Sequence, residues 1–187
     1  RKPDDAFCIC RRFHTIDQVL MRMLKESDNL YAESMFYQIG AASGNQPATA
    51  HSARSVMNRL IEKVGLDPKR YNIADGSGLS LYNYVTAELE VRLLRYAFKN
   101  NNIYLHLHPS LPQAGTDGTL RKRMTSPFTQ GNVYAKTGTL SGISSLAGYC
   151  TAANGHRLAF AIINQGLLHG RNGRSFQDRV CTILCQP

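Results

Sequence analysis

Apolar residues recur at helical spacing through the first half of the chain and at strand spacing through the second. Ile16, Val19, Met23 and Leu24 share one face of a 3.6-residue period, and Thr15-Ile16-Asp17-Gln18 is a capping-box signature at its start. A helix is therefore predicted to run to about Lys25, where Ser27-Asp28-Asn29, residues that favour caps and turns, interrupts it. Ala32, Met35, Phe36 and Ile39 rebuild an apolar face that Gly40 is expected to close, and Ala41 to Thr49 reads as a loop. Val56, Leu60, Ile61 and Val64 predict a third helix from Ser52, stopped by Gly65. Thr86 caps a fourth through Leu89, Leu93 and Ala97, ending near Lys99-Asn100.

Between the third and fourth helices, Asp75-Gly76-Ser77-Gly78-Leu79-Ser80 is a glycine-punctuated turn without the spacing of a phosphate-cradling loop. Pro109 and Pro112 predict a loop leading to a second turn-rich stretch, Ala114 to Leu120. From there the period changes to two. Val133 to Thr139 alternates as a strand, Ser145 to Thr151 reads as a second, and Asn154-Gly155 is a hairpin signal before a third, Arg157 to Asn164. Leu158, Phe160 and Ile162 face one way and Ala159, Ala161 and Ile163 the other, so both faces of that strand are expected to be covered. Ser175 to Leu184 closes the chain as a helix with Phe176, Val180, Ile183 and Leu184 on one face, while Arg1 to Phe13 reads as a short strand or linker. The expected fold class is α+β: four helices, a three-stranded antiparallel meander and a C-terminal helix in one unit spanning residues 1–187.

At 187 residues the chain is long enough to bury one full core. Its net charge of +9 raises nucleic-acid binding, but the basic residues are scattered, with Arg121-Lys122-Arg123 the densest cluster and no interleaved aromatics to stack bases. The charge reads instead as solvated surface suited to acidic surroundings such as a cell wall. No apolar run is long enough for an integral membrane segment. The five cysteines and six histidines show no metal-ligand spacing, so no metal and no cofactor is implied, and the cysteines read as buried or unpaired thiols. Tyr82 and Tyr84 read as packing residues, and His106 and His108 as surface or satisfied histidines. The chain opens on Arg1 with no signal-peptide pattern, as expected of a processed chain or a piece of a longer one.

The candidate chemistry gathers at the end of the first strand. Lys136-Thr137-Gly138 sets an ammonium and a hydroxyl beside a residue that lets a ligand approach the backbone, which suits capture of a carboxylate. Alone, this tripeptide is also an ordinary turn, and Ser27-Asp28-Asn29 is also an ordinary helix stop and cap. Together they are the S-D-N and K-T-G elements that, with S-x-x-K, build the active sites of class A β-lactamases and penicillin-binding proteins.

The likeness extends along the chain. Lys25 to Leu30, Ile73 to Ser80, Leu111 to Gly115 with Asp117 to Leu120, and Ala135 to Leu140 resemble the D-alanyl-D-alanine carboxypeptidase/endopeptidase family of low-molecular-mass penicillin-binding proteins, in its branch with inserted domains. The match covers the chain from about His14 onward, and Asp75 to Ser80 distinguishes this branch from β-lactamases. The resemblance implies a partial β-lactamase/transpeptidase-like fold. It also implies a serine-type hydrolase acting outside the cytoplasm, in the periplasm or cell envelope, on peptidoglycan stem peptides, and acylated by β-lactam antibiotics. Ser27, Asn29 and Lys136 are the implied catalytic residues: Ser27 relays a proton to the departing D-alanine, Asn29 orients the substrate amide and Lys136 holds the terminal carboxylate. Thr137, Gly138 and Thr139 bind substrate, with the Thr139 N–H as one oxyanion-hole donor.

One departure stands out. No serine in the chain has a lysine three residues later, since Ser27 is followed by Leu30, Ser52 by Ser55 and Ser77 by Ser80. The family places that motif far upstream, beyond its inserted domains. The chain is therefore expected to be the C-terminal portion of the peptidase domain, inactive alone, with an incomplete sheet whose exposed edge needs the upstream part of the same protein or a partner to cover it. A homologue that has lost the nucleophile and only binds wall peptide or a partner is the alternative, and an S-x-x-K in the upstream reading frame separates the two.

Overall fold

The computed structural model describes residues 4–44 and 47–186. Asp4 to Phe13 forms no helix or strand, and the rest of the expected N-terminal strand or linker, residues 1–3, lies outside the described residues. Helix α1 (Ile16–Lys25) starts on the expected capping box: Thr15 Oγ1 accepts from the Gln18 N–H and the Gln18 side chain accepts from the Thr15 N–H. Helix α2 (Asn29–Ala42) is capped by Asp28, whose carboxylate accepts the Leu30 and Tyr31 N–H groups. Gly40 does not close α2. It lies inside the helix at the contact with α3 (Ala50–Lys63), where a Cβ would sit 2.6 Å from Ser52 Oγ, so this glycine serves close helix packing.

Helix α4 (Ala87–Lys99) begins at the predicted Thr86 cap. The stretch expected as a proline loop is instead a helix, α5 (Asn101–Ser110), making five helices before the sheet among the described residues. Asn100 to Asn102 and the two histidines obscure its apolar period, and Pro109 falls in the last turn, where a missing N–H ends a helix without breaking its interior.

Strands β1 (Tyr134–Leu140), β2 (Ile143–Thr151) and β3 (Arg157–Asn164) form the antiparallel sheet in the order β1-β2-β3. The β2–β3 connection is longer than a two-residue hairpin, with Ala152 and His156 bonded across it and the Gly155 N–H donating to the Ala152 carbonyl. The register pairs Lys136 with Ala147 and Gly138 with Ser145. Those residues share the face toward α4 and α5, while Ala135, Leu146, Cys150 and Phe160 turn to α6 (Gly170–Cys185). Leu146 is fully buried there, so truncation to alanine is expected to cost about 3 kcal/mol.

Helices thus cover both faces of the sheet, although in β3 only Phe160 is fully buried and the residues beside it are half-buried. Among the described residues nothing pairs with the outer edge of β3. The last helix also differs from expectation. It buries Gly173, Gln177, Cys181 and Cys185 and leaves Phe176 and Ile183 on its outer side, 53% and 69% exposed. Small residues let this helix lie close on the sheet, and the period of its large side chains is not the period of its contact.

Candidate active site

Ser27 follows the last residues of α1 in a particular geometry. The Asp28 N–H donates to the Met23 carbonyl, the closing bond of a Schellman motif, and Ser27 takes the left-handed position, φ 55°, that glycine usually fills. A side chain there costs about 1–2 kcal/mol, and such strain persists where it serves a site. The hydroxyl it retains accepts a 2.7 Å hydrogen bond from Lys136 Nζ, across 109 residues of sequence. Asp28 turns away from the site. Its bond to Arg22, aided by the capping N–H groups, holds its carboxyl below the usual range. Asn29, the first residue of α2, is exposed on the wall of the same groove.

Lys136 enters the groove from β1. Nζ also donates to the Thr137 carbonyl at 2.6 Å, and among the described residues no carboxylate forms an ion pair with it. Burial lowers its ammonium to about 8. A cation held by one hydroxyl and one carbonyl is poised for an anionic ligand. The Thr137 hydroxyl bonds Thr119 Oγ1 at 3.0 Å, and Thr139 is exposed. Among the described residues only the first half of the free edge of β1 is occupied: Pro112 to Ala114 bonds Val133 and Ala135 and bridges Tyr134, which leaves the edge from Lys136 onward open to an added strand. Gly138 has a different first role from the one expected. The space its Cβ would occupy holds Ser145 Oγ, 2.3 Å away, so the glycine admits the cross-strand hydroxyl that lies beside the ligand edge.

These residues line one groove of about 790 Å³ that continues beyond the motifs into an apolar end formed by Met23, Ala32, Met57, Ile73 and Val85. Its other wall is the Asp75 to Ser80 turn, locked by the Asp75 carboxylate, which accepts from the Gly78 and Ser80 N–H groups and from Asn83. Ser77 is tied to Glu33 of α2. Asp75 and Ser77 therefore shape the wall, as the sequence suggested. Tyr82 and Tyr84 do not pack; they are 71% and 61% exposed beyond that turn, because the bonds of Asn72 to Tyr82 and Tyr84 hold the backbone and not the rings. His108 stacks on Tyr134 beneath the strand, its ring centroid 4.2 Å away, and His106 pairs with Asp17.

Glu90 and Ser145 carried no sequence signal of their own, and Thr119 was marked only as part of the Asp117 to Leu120 stretch. Glu90 on α4 faces the apolar end of the groove, its Oε2 buried without a hydrogen-bond partner, and burial pushes its carboxyl up to about 7. Ser145 and Thr119 join the site only through the register of the sheet and the turn at Asp117 to Leu120. Among the described residues no cluster of histidine, cysteine or acidic side chains could hold a metal ion. Cys150, Cys181 and Cys185 are buried thiols in the core, and Cys8 and Cys10 are exposed.

Comparison with known proteins gives this geometry a setting. The profile of the D-Ala-D-Ala carboxypeptidase 3 (S13) family matches residues 12–186. The D-alanyl-D-alanine carboxypeptidase DacB of Haemophilus influenzae is 36% identical over 157 residues, covering 83% of this chain and 33% of that protein. The crystal structure of penicillin binding protein 4 (dacB) from Haemophilus influenzae, complexed with a β-lactam, superimposes with TM-score 0.81 at 32% identity, over 90% of this chain and 41% of the other. The TLA-3 extended-spectrum β-lactamase shares the fold alone, with TM-score 0.66 at 20% identity over 90% of this chain and 62% of that one. The fold is thus β-lactamase/transpeptidase-like, and the chain spans about a third of the length of the curated relative it matches.

Proposed function

Since the chain belongs to the D-Ala-D-Ala carboxypeptidase 3 (S13) family, we propose that it is the C-terminal portion of the catalytic domain of a serine-type D-Ala-D-Ala carboxypeptidase/endopeptidase. Its substrate is the stem peptide of peptidoglycan, and β-lactams acylate it as substrate mimics. The observation that carries the reading is the Lys136 Nζ to Ser27 Oγ hydrogen bond, 2.7 Å, which joins the two sequence motifs in one groove.

The acylating serine comes from an upstream segment of the same protein, which enters the apolar end of the groove. Its oxygen gives its proton to the lysine of the same upstream S-x-x-K motif and attacks the carbonyl of the penultimate D-alanine; the bond to the terminal D-alanine nitrogen breaks as that nitrogen gains a proton, and water then hydrolyses the acyl-enzyme to free the serine. Ser27 is suited to deliver the proton. Because its oxygen accepts from Lys136, its own O–H hydrogen remains free to be donated to the leaving amine. Lys136, with the Thr137 and Thr139 hydroxyls, attracts the terminal carboxylate, Asn29 offers an amide to the peptide, and the open edge at Gly138 takes the substrate as an added strand. The Thr139 N–H serves as one oxyanion-hole donor. The site of action is outside the cytoplasm, in the periplasm or cell envelope. No described helix is long and apolar enough to cross a membrane.

The test uses the full-length protein with a fluorescent penicillin and a muropeptide ending in D-Ala-D-Ala. The expected result is a covalent adduct and released D-alanine, with Lys136→Ala lowering acylation about 100-fold or more while the protein stays folded. Neither adduct nor D-alanine from the native protein would overturn the reading.

A further inference from the structure

Ser27 and Lys136 sit on separate elements, and a second set of contacts ties those elements together. Lys25, the last residue of α1, reaches away from the groove to Asp117 Oδ2 at 2.5 Å and to the Leu111 carbonyl at 3.2 Å. The pair is half-buried, with side-chain exposures of 19% and 35%. Asp117 is fixed in turn, its Oδ1 accepting the Gln113 N–H at 2.9 Å. The next residue presses on the helix end directly: a Cβ on Gly118 would lie 2.8 Å from the Lys25 carbonyl oxygen. Thr119 then meets the Thr137 hydroxyl at 3.0 Å.

These contacts close a ring. The end of α1 touches β1 through Ser27 and Lys136, the turn touches the next residue of β1 through Thr119 and Thr137, and the Lys25–Asp117 pair ties helix end and turn together. Ser27 needs such bracing, because its left-handed backbone is unfavourable for a residue with a side chain and, among the described residues, its hydroxyl has one bond to hold it. The pair itself stays clear of Ser27 and Lys136, so it acts through position and not through contact with substrate.

We propose that Lys25 and Asp117 are positioning residues that hold the Ser27 hydroxyl against Lys136, with Thr119 as the arm that fixes β1 to the same brace. The proposal rests on the functional reading above for its consequence in catalysis, but the geometric part stands independently.

Two measurements on the full-length protein test it. The first is a crystal structure of Asp117→Asn. The expected result is a Ser27 Oγ to Lys136 Nζ separation beyond hydrogen-bond length; an unchanged 2.7 Å contact overturns the proposal whatever the protein catalyses. The second is the rate of acylation by a fluorescent penicillin for Lys25→Met, Asp117→Asn and Thr119→Val, with Lys25→Arg as the variant that keeps the ion pair. Misplacement of a reacting group by about 1 Å costs on the order of 100-fold. The expected loss is about 10–100-fold in the limiting acylation rate for Lys25→Met and Asp117→Asn, less for Thr119→Val, with little change in penicillin affinity and near-native rates for Lys25→Arg. Native rates in Lys25→Met or Asp117→Asn, or an equal loss in Lys25→Arg and Lys25→Met, overturn the proposal. Should Lys25→Met fail to fold, Asp117→Asn, which keeps the side chain's shape, decides. A native protein that forms no adduct defeats the functional reading and leaves the crystallographic arm to judge this one.

Discussion

Lys136 and Glu90 are two buried ionisable groups in one groove, and each is unfavourable for folding in a different pH range. Burial takes Lys136 from 10.5 to about 8, so below that the folded chain carries a desolvated ammonium, and stability rises as pH climbs from 8 to 10.5. Glu90 runs the other way. Burial takes it from 4.5 to about 7, so across that window the folded chain keeps a proton the unfolded chain has released, and stability falls with rising pH. The full shift corresponds to at most about 3 kcal/mol. Glu90→Gln is expected to remove that fall: in urea melts of the chain at about pH 5 and about pH 8, the native protein loses stability between the two and the variant does not. Equal slopes in both would show that the carboxyl is not held buried and unpaired. The place of Lys136 beside Ser27 was legible in the sequence because two short motifs, Ser27-Asp28-Asn29 and Lys136-Thr137-Gly138, mark it. Glu90 was not, because an acidic residue in the first turn of a helix is the ordinary choice near the positive end of the dipole, and its burial arises only when distant segments assemble the groove around it.

At the level of elements, local signals and packing signals diverge. The caps at Thr15 and Thr86 sit where side-chain oxygens predict them and Asp28 falls within the predicted tripeptide, since each bond closes within three residues, whereas α3 starts at Ala50 on a Thr49 cap, two residues before the expected start at Ser52 and on a residue expected to end the loop. The strands follow because alternation is equally local. Helix α5 and the contact face of α6 did not follow. The inner residues of α5 include Tyr104 and His108, amphipathic rings that meet Tyr149 edge-to-face and Tyr134 at a tilt, and α6 meets the sheet through Gly173, Gln177 and two cysteines. Neither set reads as an apolar stripe. The cross-strand fit at Gly138 is of the same kind, visible only once β1 and β2 are in register. It yields a non-additive prediction. Gly138→Ala drives a Cβ to 2.3 Å from Ser145 Oγ but leaves 3.6 Å to Ser145 Cβ, an ordinary contact. The single substitution is expected to cost about 1–3 kcal/mol and the same change in a Ser145→Ala background clearly less. A thermodynamic cycle of the four proteins measures it, and strict additivity would mean that strand β1 yields instead of the hydroxyl.

Across the whole molecule, two unpartnered features are not explained by anything within the described chain. The outer edge of β3 presents backbone groups with no neighbouring strand, and Phe176 and Ile183 stand exposed on the outer side of α6. An open strand edge invites intermolecular pairing unless something covers it, and exposed apolar side chains invite association in their own right. The groove poses the same question, with an apolar end and an unpaired Glu90 oxygen. On the functional reading one occupant answers all of these: the upstream part of the same protein, supplying strands to the edge and the nucleophile-bearing segment to the groove. The consequence is measurable by comparing the 187-residue chain with the full-length protein. Alone, the chain is expected to associate at rising concentration and to exchange the amide hydrogens along the free edge of β3 rapidly. In the longer protein those amides should be protected by a factor of about 100 or more, and Phe176→Ser, nearly neutral in the chain alone, should destabilise the whole by about 1–3 kcal/mol. A chain that stays monomeric and unfolds cooperatively, with the same β3 protection as the full-length protein, would mean that the edge is finished as it stands and that the upstream segment docks elsewhere.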